Sequence, residues 1–128
     1  MTHRETVLSF VEAVNAHSPA RIAALLTDGH LFVDAHDQVY QGKEIMRDSW
    51  NMFFQKFPDY RIEVNELFEQ GDTFILVGHA SGTLAAEGQM DPAKHWRRPA
   101  AWKVKVSNDL IQHWQVFVDT KPMYDVSN

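Results

Sequence analysis

"PDYRIEVNELFEQGDTFILVGHASGTL", residues 58 to 84, is where the chain changes its period. From Ile45 to Phe57 the apolar side chains recur at helical intervals, and after Pro58 they recur at every second position. Pro58 stops a helix because it has no N–H to donate and its ring collides with the preceding turn. "YRIEV" then alternates, "EQGDT" supplies a turn, and "TFILVGHASGTL" is a long apolar run with small residues near its end. Side chains of a strand point alternately to its two faces, so the stretch predicts paired antiparallel strands.

Upstream, "GKEIMRDSWNMFFQKFP" gathers Ile45, Met46, Trp50, Phe53, Phe54 and Phe57 on one broad apolar face, which predicts a helix. "LFVDAH", residues 31–36, alternates as a short strand, and residues 38–41 leave room for an extra short strand beyond the main order of elements. At the start, "THRE" pairs a capping Thr2 with Glu5, and Val7, Phe10, Val11 and Val14 follow at helical spacing. In "HSPARIAALL", Ser18 caps a second helix and Pro19 takes its first position, with Asp28-Gly29 as the expected stop.

Downstream, "AAEGQMDPAKHWRR", residues 85–98, mixes Gly, Pro and charge around a single Trp96 and is expected to be a loop. "PAAWKVKV" and "IQHWQVFVD" alternate around "SNDL", a second hairpin. Trp102, Val104 and Val106 share one face, as do Trp114, Val116 and Val118; Lys103 and Lys105 take the opposite face. A register one residue different would turn both lysines inward, against the strong preference of lysine for water. The expected order is α-α-β-α-β-β-β-β. It is an α+β architecture, a curved antiparallel sheet forming a cone around three helices of the N-terminal half, in a single domain over residues 1–128.

Composition narrows the function. Apolar residues make up 45% and charged residues 23%, as in globular domains, and no apolar run reaches the about 20 residues of a membrane span. The first ten residues lack the pattern of a signal peptide. Without cysteine there is no thiolate nucleophile and no disulfide framework, which is compatible with the cytoplasm. A net charge of -5 argues against a nucleic-acid partner, and the one dense basic cluster, Lys94, Arg97 and Arg98, reads as a solvated loop. No metal-ligand spacing, Gly-rich phosphate loop or dinucleotide fingerprint occurs, so neither metal nor cofactor is expected.

The stretches "FVEAVNAHSPARIAALLTDGHLFVDA", "YQGKEIMRDSW" and "NDLIQHWQVFVDT" together resemble the SnoaL-like branch of the nuclear transport factor two superfamily, to which ketosteroid isomerase, limonene epoxide hydrolase and scytalone dehydratase also belong. The resemblance covers nearly the whole chain. It implies a cone-shaped fold, a deep apolar pocket without a metal, and a homodimer formed through the open face of the sheet. It specifies chemistry poorly, since this fold carries many reactions. Asp34 matches the general base of ketosteroid isomerase. That enzyme's oxyanion donors, a Tyr and a protonated Asp, fall here on Phe10 and Trp102. The catalytic Asp of epoxide hydrolysis falls on Val116, and its water-orienting Asn falls on Asp34, so neither of those reactions is expected in its usual form.

An inward Asp34 beside Phe32, Trp50 and Trp102 would have its pKa raised by desolvation toward the range useful for a base. His36, two residues on, either bonds it or reaches solvent. His79, with Ile75 and Val77, is either a second acid-base group or a histidine of the sheet edge or dimer interface. Phe10, Phe32, Trp50, Phe54, Trp102, Trp114, Val116 and Val118 are the candidate walls for a hydrophobic small-molecule ligand. Asp119 is assigned to the strand exit, Asp37 to a turn, His113 to the outer face, and His95 and Tyr124 to the pocket mouth. Two functions stand: an acid-base enzyme acting on a hydrophobic carbonyl compound, or a non-catalytic binding or dimerisation module.

Overall fold

The computed structural model describes residues 1–127. Its first helix, α1 (His3–Asn15), begins as expected: Thr2 Oγ1 accepts from the Glu5 amide at 3.1 Å, and Glu5 Oε1 accepts from the Thr2 amide at 3.0 Å. Val7, Phe10, Val11 and Val14 form its buried stripe. In α2 (Pro19–Ala24), Ser18 accepts from the Arg21 amide at 3.3 Å. This helix is shorter than expected. The Leu25 carbonyl accepts from the Ile111 amide at 2.7 Å, which draws the chain into the sheet, so Asp28-Gly29 lie within strand β1 (Leu26–Val33) rather than at a helix stop.

The strand expected over 31–36 therefore starts earlier and ends at Val33. After β2 (Val39–Gln41), Gly42 turns at φ +109°, a region open to glycine, and α3 (Lys43–Lys56) follows. Met46, Trp50 and Phe54 are buried on α3, whereas Ile45 is 54% exposed, so the apolar face is narrower than the sequence suggests.

β3 (Arg61–Gln70) and β4 (Thr73–Ala86) form the predicted hairpin. β5 (Gln89–Ser107) is 19 residues long and replaces the expected loop over 85–98. Glu87 and Gly88, with φ of +54° and +78°, make a tight two-residue turn back onto β4, and residues 91–94 bulge out opposite Leu84. A turn at Asn108 and Asp109 leads to β6 (Leu110–Val118), after which the chain adds a fourth helix, α4 (Lys121–Ser127).

The six strands form one curved, unclosed sheet in the order β2-β1-β6-β5-β4-β3. All neighbours are antiparallel except β1 and β6, which run parallel. Where β3 bulges at Asn65, the strands approach so closely that a Cβ on Gly78 would overlap the Glu63 carbonyl. The free rung of edge strand β3 is closed by Asn15: its Nδ2 donates to the Ile62 carbonyl at 2.9 Å and its Oδ1 accepts from the Ile62 amide at 2.8 Å.

Alternation sets the concave face as the sequence predicts, with Trp102, Val104, Val106 and Trp114 buried and Lys105 exposed on the other side. These residues pack against Phe10, Val14, Ile22 and Leu26. No helix among the described residues is long and apolar enough to cross a membrane.

Candidate ligand cavity and acid-base site

α3 does not close down on the whole concave face. Between it, the sheet and α4 lies a cavity of about 410 Å³, within the range of small-molecule sites. Phe32, Trp50, Trp102, Trp114, Val116 and Val118, all expected as walls, line it. Phe10 and Phe54 do not reach it and form a second layer. Phe10 packs against Trp114 with ring centroids 4.5 Å apart, and Phe54 stacks on Trp50 at 5.5 Å.

Several lining residues escaped the sequence reading. Tyr60, just before β3, packs edge-on against Phe53 at 4.7 Å. Its backbone is held by the turn after α1, where His17 Nε2 donates to the Tyr60 carbonyl at 2.7 Å while the imidazole stacks on Phe54 at 4.3 Å. Trp96, assigned to a loop from sequence, is 4% exposed on β5 and meets Phe57 edge-on at 5.7 Å. Gly82 makes room for that ring, since a Cβ there would lie 3.3 Å from the Trp96 side chain. A signal for Trp96 was present: Trp96, Ala100, Trp102 and Val104 fall on the same alternate positions.

The acid-base candidates differ in placement. Asp34 lines the cavity but sits just past β1, half-buried, in a turn. Its Oδ1 accepts from the His36 and Gln38 amides, each at 2.9 Å, and its Oδ2 has one long contact from the Tyr40 hydroxyl at 3.5 Å. The sequence placed this side chain on a strand face; the Asx-type turn, the usual use of an Asp at such a position, takes it instead. The His36 imidazole lines the cavity but turns toward α4, with Nε2 3.1 Å from Thr120 Oγ1 and 3.4 Å from Tyr124 Oη. Its link to Asp34 runs through its own backbone amide.

His79 is on the convex face, 3.3 Å from Asn65 Oδ1, and outside the cavity lining. Phe74, Leu76 and Ala80 occupy the inward positions of β4, so alternation turns His79 outward. His95 is likewise exposed; its Nδ1 meets Thr83 Oγ1 at 2.8 Å, and that hydroxyl donates to Asp59 at 2.6 Å. Tyr124 does fold back, within α4, and together with Met123 borders the cavity. Asp119 holds the strand exit, accepting from the Lys121 amide at 3.0 Å and pairing with Arg98 at 3.5 Å. Arg97 pairs with Glu63 at 3.1 Å, so two of the three residues of the basic cluster are neutralised.

Two buried groups carry shifted pKa values. Desolvation pushes His30 down to about 4, despite the 2.9 Å hydrogen bond from Nδ1 to the Ile111 carbonyl. The bulge of β1 between Leu26 and Leu31 places the ring there. Burial raises the Tyr60 phenol well above its ordinary value, so it stays a hydrogen-bond donor. Among the described residues, no group of three or more His, Asp or Glu is arranged to hold a metal ion.

Comparison with known proteins agrees with this architecture. The model of the SnoaL-like domain family matches residues 7–120. A search of curated proteins finds no match. Among solved structures, an NTF2-like protein from Burkholderia thailandensis superposes with a TM-score of 0.81 at 22% identity, covering 100% of this chain and 98% of that one. A candidate SnoaL-like polyketide cyclase from Shewanella denitrificans gives 0.83 at 14% identity, with 98% and 96% covered. A hypothetical protein of ketosteroid isomerase-like fold from Catenulispora acidiphila, solved with trimethylamine, gives 0.77 at 15% identity, with 91% and 86% covered. At these identities the structures speak for the fold alone. The family match over most of the chain, on a sheet and helices arranged as described, makes this protein a member of the SnoaL-like family.

Proposed function

We propose that the protein is a small, cofactor-independent enzyme that moves a proton on a hydrophobic carbonyl compound, in the manner of an isomerase, dehydratase or cyclase. One observation carries this reading. Asp34 presents a carboxylate to an aromatic cavity with Oδ1 fixed by two amides and Oδ2 held only by one long contact. A positioned base needs one oxygen anchored and the other open to the substrate C–H. His36, bound to Thr120 and Tyr124, serves as the proton partner on the same side of the cavity. His79 has no part in this reading, because it lies on the convex face.

The test is mass spectrometry of a mixture rich in cyclic ketones and polyketide-like compounds, incubated with wild type and with Asp34→Asn. The amide oxygen still accepts from the His36 and Gln38 amides, so the turn survives, with stability expected within about 0.5 kcal/mol. A compound converted by wild type and slowed about 10²- to 10⁴-fold by the variant supports the base assignment. Equal conversion by both rejects it. A second reading, a binding module, is favoured by the structural work that Asp34 does in its turn; a compound retained unchanged by both proteins selects it.

We also propose a homodimer through the open face of the sheet. Val77, Ala101 and Phe117 lie side by side across β4, β5 and β6 on that face, with Phe117 50% exposed and Ile75 37% exposed nearby. Light scattering should give the mass of two chains for wild type and of one for Phe117→Glu. A wild-type monomer would end this proposal.

A further inference from the structure

The cavity is elongated, and its two ends carry opposite charge. Along α3 its lining is the stripe Met46, Ser49, Trp50, Phe53, Lys56 and Phe57, which at the rise of a helix spans about 16 Å. On the sheet the same space is bordered by Phe32 of β1, Trp114 of β6, Trp102 of β5 and Ala80 of β4, four neighbouring strands, or about 14 Å across. α3 crosses these strands in that order. Its start is tied to β1, where Lys43 Nζ lies 3.9 Å from Asp28 Oδ1 and the Gly42 amide donates to the His30 carbonyl at 2.9 Å. Its end leads through Tyr60 into β3.

Asp34 stands at the β1 end, with His36 and Tyr40. Lys56 stands at the β3 end and is the only lysine or arginine of the lining. Trp50, Phe53, Trp102 and Trp114 separate them, and none of these is charged. No carboxylate among the described residues pairs with Lys56. Asp59, three residues on, gives its two oxygens to the amide and the hydroxyl of Thr83, each at 2.6 Å. The Lys56 ammonium instead lies over the ring of Phe57, 5.6 Å from its centroid.

A ligand with a negative group at one end has one favourable orientation in such a space. At the Asp34 end that group meets a carboxylate, and at the Lys56 end it meets an ammonium. Lys56 is exposed, so an anion held beside it keeps part of its hydration and avoids the cost of burying a charge.

We propose that the cavity takes an elongated apolar carboxylic acid, bound with its carboxylate at Lys56 and its neutral, proton-yielding end at Asp34. This deepens the reading of the cavity as a ligand site and rests on it. Lys56 selects the charge of the ligand and thereby decides which of its ends reaches the base.

The experiment compares two rigid rods that differ in charge, 4′-acetylbiphenyl-4-carboxylic acid and its methyl ester, each with a ketone at the far end. Binding at pH 7 is followed by two-dimensional ¹H–¹⁵N NMR of the indole N–H signals of the four tryptophans, all of which line the cavity. The acid should bind about three- to fivefold more tightly than the ester, the range of an exposed ion pair, and the ratio should shrink as salt is added. In Lys56→Gln the ratio should fall to about one, and in Lys56→Arg it should persist; both side chains replace an exposed residue, so folding is spared. The ketone methyl group should show nuclear Overhauser contacts to Phe32 and none to Tyr60. Equal binding of the two rods, an advantage of the acid that survives Lys56→Gln, or methyl contacts to Tyr60 alone overturns the proposal and leaves the cavity reading standing; Lys56 then only complements the dipole at the end of α3. Binding of neither rod overturns both.

Discussion

Under α1 the concave sheet is filled: Phe10, Val14, Ile22, Leu26, Phe74, Val104 and Ile111 are each 0% exposed. Under α3 the same sheet leaves about 410 Å³, although its residues are larger. The difference lies in shape. Branched aliphatic side chains interdigitate at interior packing density. The α3 side instead uses flat rings set edge to face, as Trp50 with Phe32 and with Phe53, and Phe57 with Trp96, at 5.7 to 6.1 Å. Rings propped on one another build rigid walls around space.

The sharpest way to test this contrast is to remove one ring from each side. Phe10→Ala, in the filled part, should cost about 3–5 kcal/mol, whereas Phe32→Ala, on the half-buried cavity wall, should cost about 1–2 kcal/mol. Urea denaturation measures both, and equal losses would mean that the two sides are packed alike. A second test uses pH. His30 is held neutral in the fold with a pKa of about 4, against 6.5 in the unfolded chain. Between those values the unfolded state binds the extra proton, so stability is full above pH 6.5 and falls as pH drops toward 4, by about 3 kcal/mol in total. His30→Asn, whose side-chain N–H replaces Nδ1–H toward the Ile111 carbonyl, should flatten this slope. A slope unchanged in the variant would assign it to other groups. The smallest effect belongs to the outside of α3: Ile45→Lys should change stability by less than about 0.5 kcal/mol, because the side chain is more than half exposed. A larger loss would show that the apolar face of α3 extends to Ile45.

The filled side was the more legible in sequence. Its helices announce themselves through Thr2, Ser18 and Pro19, and its strands through strict alternation, because one face meets a core and the other does not. The cavity side was legible in its walls but not in its polar groups. Asp34 alternates correctly with Phe32 yet stands one residue beyond the strand, where local hydrogen bonds to its own turn outweigh the pattern. Tyr60 gave no periodic signal, being fixed by His17 from 43 residues away. The 85–98 stretch read as a loop because only Trp96 within it is buried, so glycine, proline and charge dominate what is in fact a hairpin reaching beyond the core. His30 was hidden for a similar reason, since it is buried by a bulge that pattern alone does not specify.

Asn15 has an effect on the behaviour of many molecules together. An edge strand with open N–H and C=O groups is a template on which a second chain can polymerise. On β3 the rung at Ile62 is already taken by the Asn15 carboxamide, which imitates the backbone of a neighbouring strand and ends there. The bulge at Asn65 breaks the ladder a few residues further on, and Glu66 and Glu69 add like charge along the strand. A sheet that must stay open to surround its cavity is thereby kept from growing at this edge into a fibril, and Asn15→Ala should show its cost first as aggregation on storage.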